Sequence, residues 1–131
     1  NIFCFNIINL FSCFQVDELI LLDIDATRQK RLISLDILSH IADEGTMPFA
    51  VGGGIRNIDD IYNILSLGAE KVVLSDIVFT KPKFLEEASN RFGESTISVC
   101  ININKTLFNG YKVYLPSSKK LQLPKVIFSD Q

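Results

Sequence analysis

The sequence of 131 residues contains no tryptophan and a single histidine, His40. One histidine excludes a metal centre built on several imidazoles, and no metal site is expected. A surplus of positive charge is also absent. Thirteen Lys and Arg stand against fifteen Asp and Glu, a formal net charge of -2. With no basic stripe to replace counterions, nucleic acid and anionic membrane surfaces are excluded as main partners. Cysteines are few, odd in number and widely spaced: Cys4, Cys13 and Cys100. They form no CxxC pair, so the chain reads as one from a reducing, cytoplasmic compartment with buried thiols rather than a disulfide scaffold.

A long hydrophobic run is missing too. The chain opens on Asn1, and the apolar stretch 1–15 carries neither the basic flank nor the small-residue site of a signal peptide. Asn6, Asn9, Ser12 and Gln15 interrupt it well short of the ~20 apolar residues that span a bilayer. Ile7, Leu10, Phe11 and Phe14 recur at helical spacing, which predicts a helix truncated at its start.

What is present is alternation. Apolar residues make up 47% of the chain, enough for one core and one domain over 1–131. Across 16–104 four short apolar runs end in polar residues. They are Glu18 to Asp25, Phe49 to Ile55, Lys71 to Asp76 and Ser95 to Asn104. Such runs suit strands of a parallel sheet buried on both faces. Helical patterns lie between them. Ser34 can cap Leu35, Leu38 and Ile41. Asn57 can cap Ile58, Ile61, Ile64 and Leu65, with Gly68 as the stop. Pro82 can open Phe84, Leu85, Ala88 and Phe92, with Gly93 closing the helix. The expected fold class is α/β, built from βα repeats. In 105–115, Asn109-Gly110 between two apolar runs predicts a hairpin with a type I′ turn. The tail 116–131 shows no period.

Ligands of parallel α/β proteins bind at the carboxyl ends of the strands. Those ends carry Asp23 and Asp25, then Gly52-Gly53-Gly54, then Ser75 and Asp76, then Asn102 and Asn104. Polar strand ends also arise simply because they reach water. Three consecutive glycines offer bare backbone amides to a phosphate, though a tight turn needs only one. The glycines match neither GxGxxG nor the P-loop, and no pattern calls for a cofactor. Alternation would turn Asp23 and Asp25 to one face, where coupled carboxylates could hold one raised pKa for acid-base work. The competing reading is a helix cap, or an ion pair with Arg28, Lys30 or Arg31. His40, inside a helical pattern, reads as a surface or packing residue.

Val16 to Thr27 resembles the second strand of the cyclase subunit family of imidazole glycerol phosphate synthase. Pro48 to Arg56, Gly68 to Val72 and Arg91 to Gly93 follow in the same order, and Asn109-Gly110 falls where the family carries an insertion. The resemblance implies a partial TIM barrel covering strands two to five of eight. It implies an ammonia-dependent ring closure on a bisphosphorylated ribulosyl substrate in histidine biosynthesis, with ammonia from a glutaminase subunit. The Asp-Ile-Asp-Ala-Thr form looks closer to a side branch linked to amidination of bacterial surface sugars, again with an amidotransferase partner.

Carried over by position, Asp23 matches a polar active-site residue and Gly54 a backbone donor to phosphate. Ser75 and Asp76 stand where the family has Asn and Thr at the same phosphate. Asn102 stands at the catalytic aspartate, where an amide cannot serve as a general base. The family's strand-one aspartate falls before residue 1, and strands six to eight fall after residue 131. The expectation is therefore a chain inactive by itself. Its alternatives are a non-catalytic half-barrel, self-associating through open sheet edges, or a decayed gene product.

Overall fold

A computed structural model describes residues 16–44, 47–106, 110–115 and 120–122. The expected helix over 1–15 and most of the tail lie outside the described residues. Two sheets make up the fold. The first is parallel, in the order β1 (Leu19–Leu22), β2 (Phe49–Gly52), β3 (Lys71–Leu74) and β4 (Ile97–Val99). Helices α1 (Leu35–Glu44), α2 (Ile58–Ser66), α3 (Asp76–Thr80) and α4 (Pro82–Phe92) connect its strands. This is the parallel βα alternation of a partial (β/α) barrel, as the sequence pattern predicts.

The helix boundaries follow their expected chemistry. The Asn57 side chain accepts a hydrogen bond from the Asp60 amide at 2.8 Å, so a free donor of the first turn of α2 is satisfied. Gly68, at φ 97°, follows the end of that helix. Pro82 opens α4, where its missing N–H costs nothing, and Gly93 at φ 94° closes it. Ser34 Oγ accepts from the Ile37 amide at 3.4 Å before α1.

Three of the helices turn their apolar stripes to one face of the sheet. Leu38 and Ile41 of α1, Ile61 and Ile64 of α2, and Phe84 and Ala88 of α4 are buried there against Val51, Val72 and Leu74. Fully burying one such side chain contributes about 1.5–3 kcal/mol. The other, inner face is open: Ile20 is 59% and Leu22 49% exposed. Near the amino ends of the strands on this face, Lys71 Nζ reaches both carboxylate oxygens of Glu18, at 2.9 and 3.0 Å. His40 lies exposed on α1.

The second sheet is antiparallel, in the order β5 (Ile103–Thr106), β6 (Gly110–Leu115) and β7 (Lys120–Gln122). A hairpin is present where expected, but its register differs. Thr106 pairs with Gly110 and Ile103 with Val113, so Gly110 begins a strand instead of filling a two-residue turn. Burial accounts for this. Val113 and Leu115 are 4% and 2% exposed, and the alternation that buries both fixes the register ahead of the local turn preference. Asn104 therefore sits inside β5 and not at the end of a parallel strand. The tail shows no period in the sequence, yet β7 forms within it.

Candidate functional site

The carboxyl ends of the four parallel strands open into a cavity of about 710 Å³. Its lining brings together Asp23, Gly52, Gly53, Gly54, Ser75, Asp76 and Asn102, all expected at the site from sequence. Asp25 and Asn104 do not line it.

The wall after β1 is densely bonded. The strand stops at Leu22, and Asp23 begins a turn. Asp23 Oδ1 accepts from the amides of Asp25 and Ala26, at 3.1 and 3.0 Å. Asp23 Oδ2 accepts from Arg31 Nη1 at 2.6 Å. Burial alone would push the Asp23 carboxyl up. The Arg31 hydrogen bond, the two amides and the Arg31 charge outweigh it, and the carboxyl lies below its ordinary value. Asp25 is paired with Arg28 instead. The expectation that alternation turns Asp23 and Asp25 together to one face is thereby corrected. Strand alternation does not continue past Leu22, and each aspartate has its own arginine. Of the basic residues weighed from sequence, Arg28 and Arg31 form the pairs and Lys30 forms neither.

The three glycines that end β2 and follow it have separate steric reasons. A Cβ on Gly52 would lie 2.8 Å from the Val73 carbonyl oxygen, and one on Gly53 2.8 Å from Asp23 Cβ. Gly54, at φ 72°, is the most confined: a Cβ there would lie 1.8 Å from the Arg31 carbonyl oxygen. The run of glycine is thus required by chain packing at all three positions, whatever the cavity binds. Gly53 O accepts from the Ile33 amide at 3.1 Å, so the loop before α1 is tied to the glycine turn.

The opposite wall is more sparsely connected. Asn102 Nδ2 donates to Ser75 Oγ at 3.3 Å, bringing together two predicted site residues. Asp76 is buried at the start of α3, a short helix the sequence pattern did not reveal. Cys100 is half-buried and lines the same cavity, whereas a buried thiol was expected. The expected readings of Cys4 and Cys13 lie outside the described residues. Arg28, Lys30, Arg31, Arg56 and Lys81 also line the cavity, giving it more cationic than anionic side chains. Sequence reasoning missed Arg56 and Lys81. Their signal was position alone: Arg56 follows the glycine turn, and Lys81 precedes α4. Among the described residues no group of three His, Cys, Asp or Glu could hold a metal ion. No helix among them is long and apolar enough to cross a membrane.

A parallel βα sheet with a cavity at its strand ends, lined by a glycine run and several charged side chains, defines a segment of a (β/α)-barrel protein. The chain belongs to the family described as histidine biosynthesis protein, whose model matches residues 4–125. Subunit HisF of imidazole glycerol phosphate synthase from Streptococcus mutans is 36% identical over 104 residues, covering 79% of this chain and 41% of that protein. Subunit HisF from Helicobacter hepaticus is 35% identical over 99 residues, 76% of this chain and 39% of that protein. A putative imidazole glycerol phosphate synthase subunit hisF3 from Vibrio vulnificus is 41% identical over 103 residues, 79% of this chain and 40% of that protein. The chain spans about two fifths of the length of these curated relatives.

Proposed function

We propose that this chain supplies the phosphate-holding part of the ring-closing subunit of an imidazole glycerol phosphate synthase. The observation that carries the reading is the cavity, which joins Gly54, Ser75, Asn102 and Asp23 at the ends of adjacent parallel strands. The names of the relatives point to the same activity. They lend no support to the surface-sugar or non-catalytic alternatives.

In this reading the turn at Gly52 to Gly54 lets backbone approach a phosphate closely, and Ser75 Oγ offers a hydroxyl beside it. Asp23 stays ionised at neutral pH and accepts a hydrogen bond from a substrate hydroxyl. Asn102 orients a polar group of the substrate as donor or acceptor. It takes no proton, because an amide has no basic site near neutral pH. Asp76 opposes the phosphate by charge and limits its affinity. The partners in this reading are a phosphorylated small molecule and a glutaminase subunit that supplies ammonia.

The test is to incubate the chain with ammonium salt and the ribulosyl bisphosphate substrate. Binding and imidazole release are measured separately. The reading predicts substrate binding without turnover. Release of product by the unaltered chain would overturn the role given to Asn102. Absence of substrate binding would overturn the function itself.

A further inference from the structure

We propose that Arg31 is the positioning residue of this site. Its side chain fixes the Asp23 carboxylate while its own backbone braces the glycine turn, so that both halves of the cavity wall keep one geometry. The inference rests on the reading of the cavity as a phosphate-substrate site.

Several contacts meet at this residue and its neighbours, beside the local bonds that Arg31 Nε and Nη1 donate to Gln29 Oε1 and the Leu32 carbonyl. Arg31 Nη1 donates to Asp23 Oδ2 at 2.6 Å, and the Arg31 amide donates to the Ala26 carbonyl at 3.0 Å. The Arg31 carbonyl occupies the space that a Gly54 side chain would need. Two residues on, the Ile33 amide donates to the Gly53 carbonyl. Arg56 Nη1 adds a strap from beyond the turn, donating to the Lys30 carbonyl at 2.9 Å, where Lys30 holds a φ of 53°.

A carboxylate offers about four lone-pair positions. Asp23 gives two to the amides of Asp25 and Ala26 and one to Arg31. One position on Oδ2 remains for a ligand, and its direction is set by where the guanidinium sits. Fixing Asp23 therefore also fixes which way it can accept. The charged side chains that line the cavity with Asp23 are Arg28, Lys30 and Arg31 from its own loop and Arg56, Asp76 and Lys81 from the neighbouring elements; Asp25 is paired with Arg28.

The experiment is an NMR titration of the Asp23 carboxyl in the parent, Arg31→Met and Arg31→Lys, each repeated with inorganic phosphate. The expected result is an Asp23 midpoint below the ordinary range in the parent, raised in Arg31→Met and partly lowered again in Arg31→Lys. Phosphate affinity should fall about tenfold in Arg31→Met and recover in part in Arg31→Lys, the scale of a lost hydrogen bond to a charged group. An unmoved Asp23 midpoint in Arg31→Met overturns the proposal. Equal phosphate affinity in all three proteins overturns the Arg31 side chain as the positioning residue of the phosphate site. If the parent binds no phosphate while the Asp23 midpoint still moves, the phosphate reading fails and the fixing of Asp23 stands. Should Arg31→Met not fold, the parent decides: the chemical shifts of its Arg31 guanidinium protons must follow the Asp23 midpoint, and independence overturns the proposal.

Discussion

The two faces of the parallel sheet are built from similar residues but lead different lives. On the outer face Val51, Val72 and Leu74 are covered by three helices. On the inner face Ile20 and Leu22 remain about half exposed, and small residues, Ala50 and Gly52, occupy β2 between its neighbours. The outer face carries the stability of the fold. The inner face and the strand ends above it are where the cavity lies.

The sharpest way to break this contrast is an outer-face truncation. Ile61→Ala, at a fully buried position of α2, should cost about 3–4 kcal/mol by urea unfolding. A cost near zero would mean that the helices do not carry the core. Gly54→Ala comes next. Its φ of 72° and the Arg31 carbonyl predict a loss of about 2–3 kcal/mol. A neutral result would show that the turn is not confined as described.

Asp23→Asn sharpens the comparison through pH. The folded-state carboxyl is depressed, so its contribution is present above the unfolded value and is lost as pH falls through the folded one. The variant should lose about 0.5–1 kcal/mol at pH 7, discounted because the Arg31 side chain is 43% exposed. It should converge with the parent in strong acid. A gap that widens on acidification would contradict the sign of the shift. Ile20→Thr, on the inner face, should change stability by less than about 0.5 kcal/mol. A loss as large as that of Ile61→Ala would mean that the inner face is covered in solution.

Much of the fold was legible because its signals are local. Asn57, Pro82 and Gly93 mark helix ends through their own local chemistry, and the parallel strands are short, mostly apolar runs. The hairpin was legible as an element but not in register, since Val113 and Leu115 are fixed by burial and not by the turn. Helix α3 was hidden because five residues give no period. At the site, the position of Asp23 could be read from the strand end. Its partner could not be settled, because Arg31 is eight residues away and three basic side chains competed. The glycine run was legible as unusual. Its steric cause was not, because the atoms confining Gly54 belong to the loop after another strand.

The central claim is that the strand ends hold a phosphate between the glycine turn and Ser75. The most direct measurement is a titration of the labelled chain with inorganic phosphate, followed at the backbone amides. Saturable shifts at Gly53, Gly54 and Ser75 are the predicted result. Shifts confined to other surfaces, or none at all, would contradict it.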